Sequence, residues 1–178
     1  SAVNLFSYGI VVKQPLFTKL QERAADPLFR NGAVRTPDGD LSFVYKAAAE
    51  IGELGDNTKA LRAAITSDEL LHRAVAADGA LVNVLDHTRW ASVGIISEAN
   101  AHPLNSDEEG IEGPYFASAL NGDVDNYAEL RESSGLRIPP DITTDAKVIP
   151  TLVKRRMGES ADVVDAFRNT VADFDGSV

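Results

Sequence analysis

Four polar clusters hold the residue types that could do chemistry: HTRWAS (87–92), NAHP (100–103), NGDVDN (121–126) and TTDAKVI (143–149). A guanidinium grips a carboxylate through two parallel N–H donors, an aspartate holds an ammonium, and an Asn amide beside a Gly backbone N–H stabilises an oxyanion. Arg89, Asp145, Asn121 and Gly122 supply that set. Together they would hold an α-amino acid by its head and perform acyl chemistry on a side-chain amide, with glutamine the obvious candidate. Taken singly, each has a plainer reading. Arg89 could be a surface ion-pair partner and Trp90 a core plug. Asn121-Gly122 could be a turn, because both residues tolerate positive φ. Thr144-Asp145 could be a helix start whose acid suits the helix dipole.

These clusters need elements to position them. Residues 3–12 are dense in β-branched and aromatic side chains and read as a strand, ended by Pro15. A short helix is expected over 16–25, then turns at Asp26-Pro27 and Asn31-Gly32. Two strands flank Pro37-Asp38-Gly39 as a hairpin. Helices follow over 47–54, 58–65 and 66–76, the last opened by a capping box of Thr66 and Glu69 and ended at Asp78-Gly79. Residues 80–85 read as a buried strand leading into HTRWAS, and residues 90–114 as a long irregular segment of the kind that is often functional.

The second half alternates in the same way. A strand is expected over 115–120, a short helix over 124–135 and extended chain over 137–143. Thr144 then caps a helix whose Val148, Ile149, Leu152 and Val153 form one apolar face, with Pro150 expected to kink it. A last helix over 160–174 carries Val163, Val164, Phe167, Val171 and Phe174 as a core stripe. The balance is α+β, and the strands are spaced too irregularly for a doubly wound parallel sheet.

Composition narrows the class. The chain has 178 residues and a net charge of -10, with no basic cluster denser than VKRRM (153–157), which argues against a nucleic-acid partner. No apolar run approaches a membrane span, and residues 1–20 lack the pattern of a signal peptide, so a soluble cytoplasmic protein of one domain is expected. Zero cysteines exclude disulfides and thiolate sites supplied by this sequence. His72, His87 and His102 form no i, i+4 pair, so neither a metal nor another cofactor is called for.

The order HTRWAS, NAHP, LNGDVDNYAELR, TTDAKVIPTLV resembles the glutaminase domain of class II glutamine amidotransferases, which are N-terminal-nucleophile hydrolases. The likeness is strongest to the glutamine–fructose-6-phosphate aminotransferases, across residues 81–153. The resemblance implies a four-layer αββα sandwich of two antiparallel sheets. It implies that Arg89 binds the glutamine α-carboxylate with help from the Ser92 hydroxyl, that Asp145 binds the α-ammonium, and that Trp90 packs at the pocket mouth. Asn121 through its side chain and Gly122 through its N–H would form the oxyanion hole. The implied chemistry releases ammonia from glutamine and passes it to a synthase domain, a sugar isomerase in the same or a partner chain, for amino-sugar phosphate formation. A homo-oligomer stays open.

The sequence departs from that pattern at several places. Val93 and Leu120 stand where the family has histidines and Lys147 where it has a glutamate, changes expected to touch the pocket rim. The family's N-terminal cysteine nucleophile is missing. One expectation is that this sequence is a piece of a longer protein, with the nucleophile strand upstream and the closing strands downstream. In a second, Tyr8 of YGIV stands in the nucleophile's place, giving a catalytically dead glutamine sensor. In a third, Ser1 is itself the nucleophile. The rival from another class is an acidic protein-interaction module with no small ligand.

Overall fold

The computed structural model describes residues 5–9, 34–35, 41–48, 56–78, 80–88, 93–159 and 162–178. It is a mixed α and β chain with small antiparallel sheets, divided into two compact units, 1–88 and 89–178. The helix expected over 16–25 and most of that over 47–54 lie outside the described residues, while Ala47 and Ala48 are non-helical. Among the described residues no helix is long and apolar enough to cross a membrane.

In the first unit, strands β1 (Leu5–Gly9), β2 (Val34–Arg35), β3 (Leu41–Val44) and β4 (Leu81–Leu85) form one antiparallel sheet in the order β2-β3-β1-β4. The pairing of β2 with β3 is the expected hairpin, Val34 opposite Phe43. Among the described residues of the unit, the helices are α1 (Asp56–Ser67) and α2 (Glu69–Val75). Leu41, Phe43 and Tyr45 are buried with Leu61, Leu70, Leu71 and Ala74 in one apolar core.

Two expectations fail here. Thr66 does not open α2, because it still lies in α1; one residue separates the helices, and that residue, Asp68, is the cap. Its Oδ1 accepts the N–H groups of Leu70 at 2.9 Å and Leu71 at 3.0 Å, while Oδ2 accepts the buried Tyr45 hydroxyl. A carboxylate serves three donors where a threonine hydroxyl could serve fewer. The strand expected to be buried, β4, is largely exposed, with Leu81 74% and Val84 56% accessible. Among the described residues it ends the sheet, paired to β1 alone, with no strand flanking its other edge.

In the second unit, β5 (Leu104–Asn105) pairs with β6 (Ala117–Ser118), and β7 (Asp123–Val124) pairs with β8 (Gly176–Ser177), both antiparallel. Helix α3 (Tyr127–Ser133) follows β7. A 3-10 turn, Asp145–Lys147, leads directly into α4 (Val148–Met157), against which α5 (Val163–Val171) packs. Val148, Ile149 and Leu152 join Leu104, Val124, Leu136, Ile138 and Ala146 in the core, as the apolar face predicts.

Two helix readings are corrected. Pro150 does not sit past the first turn of α4: the 3-10 turn delays the helix start to Val148, so Pro150 falls in the first turn, where no intrahelical N–H is required and the reason to expect a kink is removed. The stripe is core only at its far end, where Val171 is half-buried and Phe174, just past α5, packs against the core. Val164 and Phe167 are 54% and 50% exposed and Val163 is exposed with them, while the helix buries Ala166 and Thr170 instead. Small residues let α5 lie close to α4, and the Thr170 hydroxyl is satisfied within its own helix by donating to the Ala166 carbonyl at 2.8 Å.

Candidate functional site

Three stretches of the second unit meet at Thr143, Thr144 and Asp145. The first is held by Asn100, which is completely buried. Its Oδ1 accepts the N–H groups of Thr143 at 2.7 Å and Thr144 at 2.9 Å. Its Nδ2 donates to Ser97 Oγ at 3.0 Å and Thr143 Oγ1 at 3.2 Å, and more weakly to the Asp141 carbonyl at 3.4 Å. The carboxamide therefore fixes the backbone that presents Asp145.

The second stretch is the segment that follows HTRWAS. Gly94 has φ +85°, and a Cβ there would come within 2.9 Å of Thr143 Oγ1 and 3.1 Å of the Thr144 nitrogen. Only glycine permits that approach. The Ile95 N–H also points to Thr143 Oγ1 at 3.4 Å. Arg89, Trp90 and Ser92 lie outside the described residues, but Gly94 is only two positions beyond Ser92.

The third stretch is NGDVDN. Asp145 is buried; its Oδ2 accepts the Val124 N–H at 2.8 Å and its Oδ1 accepts the Thr144 hydroxyl at 3.2 Å. Each carboxylate oxygen has capacity for a second donor, so the group can support the backbone and still hold a cation. Asn121 is exposed and Gly122 half-buried just ahead of β7. A Cβ at Gly122 would sit 1.8 Å from the Ser177 carbonyl oxygen, so the closeness of β8 requires glycine there whatever its N–H does.

Lys147 is not at a rim. It is 0% exposed, and its Nζ donates to the Asn105 carbonyl at 2.5 Å, the Asn105 Oδ1 at 3.1 Å and the Asp107 carbonyl at 2.8 Å. Three oxygens gathered around one ammonium make it a structural centre for the 105–107 backbone. Val93 and Leu120, the other departures, are half-buried.

Glu108 anchors the same loop from its far side. Both of its oxygens take a fork from Arg155, Nε to Oε2 at 2.7 Å and Nη2 to Oε1 at 2.9 Å, and Oε1 also accepts the Arg137 N–H at 2.9 Å. Burial works against its charge, but the Arg155 guanidinium and the Arg137 N–H outweigh burial and hold its carboxyl below the usual range. Sequence reading assigned no role to Asn100 beyond its place in NAHP and none to Glu108. Thr143 and Thr144, which Asn100 holds, and Arg155, which Glu108 holds, lie more than 40 positions away, and no local spacing announces them.

No established protein-family profile matches the chain. By sequence, however, it is a relative of the glutamine amidotransferases, in their glutaminase part. The relatives are isomerizing glutamine–fructose-6-phosphate aminotransferases. One from Chlamydia pneumoniae is 31% identical over 161 residues, covering 83% of this chain and 25% of that protein. One from Halalkalibacterium halodurans is 36% identical over 93 residues, covering 52% of this chain and 15% of that protein. One from Sulfurisphaera tokodaii is 38% identical over 96 residues, again 52% of this chain and 15% of the relative. The chain thus spans a quarter or less of the length of these curated relatives. The Chlamydia match also reaches well upstream of residue 81, where the signature motifs begin.

Proposed function

We propose that this chain is the glutamine-holding part of a class II glutamine amidotransferase, built on a four-layer αββα sandwich. In this reading Arg89 and Ser92 take the α-carboxylate, Asp145 takes the α-ammonium and Trp90 walls the mouth of the pocket. The Asn121 amide and the Gly122 N–H receive the oxyanion that forms when the side-chain amide is attacked. The observation that carries it is the convergence on 143–145: Gly94, just past the arginine segment, packs on Thr143 and Thr144, and Asp145 bonds Val124, two positions beyond Gly122. The attacking cysteine lies outside this sequence. Glutamine is hydrolysed to glutamate, and its ammonia passes to a sugar isomerase domain for amino-sugar phosphate formation, as the names of the relatives suggest.

The absence of cysteine from the sequence favours one second reading, a glutamine sensor or interaction module without turnover. Both glutamine-binding readings share a test. L-glutamine at about a hundredfold excess over its dissociation constant stabilises a binding protein by about 2.7 kcal/mol, visible as a raised melting temperature. The rise is expected to vanish in Arg89→Ala and in Asp145→Asn, which keeps an acceptor for the Val124 N–H but removes the charge. Lys147→Ala is no neutral control, given its burial. A wild-type chain that shows no shift well above millimolar glutamine overturns the pocket and leaves an interaction module.

A further inference from the structure

We propose that Asn126 is a positioning residue for the Asn121-Gly122 turn, acting through the strand that follows α5. Asn126 occupies the N-cap position of α3, yet its side chain makes no cap hydrogen bond. Asparagine at that position ordinarily accepts from the first turn of its own helix. Here both ends of the carboxamide are used elsewhere: Nδ2 donates to the Asp173 carbonyl at 2.9 Å, and Oδ1 accepts the Asp175 N–H at 3.0 Å.

That pair of bonds reads the backbone of 173–175 in both directions and fixes where β8 begins. The Asp125 N–H adds a bond to the Asp175 carbonyl at 2.8 Å, and Phe174 packs against the core of the unit. From there β8 runs along β7, with Ser177 opposite Asp123 and Gly176 opposite Val124. The fit tolerates no side chain at two points. A Cβ on Gly122 would lie 1.8 Å from the Ser177 carbonyl, and one on Gly176, at φ +122°, would lie 2.3 Å from the Asp123 carbonyl. The Ser177 carbonyl is thus a stop against which Gly122 rests, and Asn126 sets the stop. Asp145 holds the same ribbon at Val124, nearer the amino-acid head. The division follows: Asp145 serves the head of the ligand, and Asn126, through β8, aims the donors at its side-chain carbonyl.

This inference rests on the glutamine-pocket reading, and the test separates the two. Dissociation constants are measured by calorimetry for L-glutamine and for L-norleucine, which has the same head and a hydrocarbon side chain of similar length. Wild-type chain is expected to prefer glutamine by roughly fivefold or more, the worth of one hydrogen bond. In Asn126→Ala that preference is expected to fall to about one, with norleucine affinity within about twofold of wild type. Asn126→Asp, which retains the acceptor for Asp175 and so half of the clamp, is expected to be intermediate and serves if the alanine variant does not fold. A purely structural role would weaken both ligands together, and a preference as large as that of wild type in either folded variant overturns the proposal. Wild-type chain that binds neither ligand removes the pocket reading itself, and the Asn126 role with it.

Discussion

The two units close their interiors by different means. Among the described residues, 41–88 bury hydrocarbon with few polar groups, Ser42 and the Tyr45–Asp68 pair, while 93–178 bury Asn100, Glu108, Asp145, Lys147 and Lys154 beside their apolar cluster. A hydrophobic contact is non-directional and fixes elements, whereas a buried carboxamide or ammonium fixes particular carbonyls and N–H groups. The second unit has short strands and long irregular segments, so it cannot rely on sheet ladders to set its loops. Its buried polar groups take that role, Asn100 at the 143–144 backbone beside Asp145 and Lys147 at the 105–107 backbone.

The sharpest way to break this contrast is Lys147. Removing its ammonium leaves the Asn105 carbonyl, Asn105 Oδ1 and the Asp107 carbonyl without their buried donor. Lys147→Ala is expected to cost about 3–5 kcal/mol, comparable to stripping one partner from a buried ion pair, and denaturant unfolding measures it. Lys147→Met fills the volume without donating, so it separates the two contributions. If it restores stability to within about 1 kcal/mol of wild type, the ammonium is only filling space and the second core is apolar after all.

How much of this was legible beforehand differs between the units for the same reason. The strand at 5–9, the β2–β3 hairpin, α1 and the apolar face of α4 follow from local composition, turn residues and periodicity, which act over a few positions. The polar clusters could be recognised, and Asp145 lies in the stretch where three segments of the second unit meet. What could not be read was which distant groups they serve. Asn100 meets Thr143 and Thr144 across 43 and 44 positions, and Lys147 reaches back across 42 to Asn105, although a lysine is by default a surface residue. Nor does periodicity say whether an apolar stripe is covered. It locates Val163, Val164 and Phe167 on one side of α5, but the neighbour's surface decides that Ala166 and Thr170 face inward.

A smaller effect is expected at Glu108. Its folded-state pKa is depressed, so the ionised form with Arg155 contributes stability that is present above the unfolded carboxylate pKa and lost as pH falls through the lower folded value. Stability curves against pH should therefore show an acid limb below the ordinary range of a glutamate carboxyl that Glu108→Gln reduces. Because the Arg155 side chain is 34% exposed, the loss at neutral pH is expected to be about 1–2 kcal/mol, well under that at Lys147. An acid limb unchanged in Glu108→Gln would mean the fork is screened and other groups hold the 107–111 loop.

The smallest effect is expected where sequence periodicity had promised a large one. A Phe in a core costs about 3–5 kcal/mol on truncation, because its transfer energy is lost and a cavity remains. Phe167 is half exposed, so its replacement leaves no cavity and returns only part of its surface to water. Phe167→Gln and Val164→Gln are each expected to change the unfolding free energy of the chain by about 0.5 kcal/mol or less. Ala166→Leu, on the buried face of the same helix, meets a fully buried position and is expected to cost about 1–3 kcal/mol through overpacking against α4. The order of these effects is the discriminating quantity. If Phe167→Gln proves the costlier, α5 is turned over in solution relative to the orientation described, and its small residues face the water.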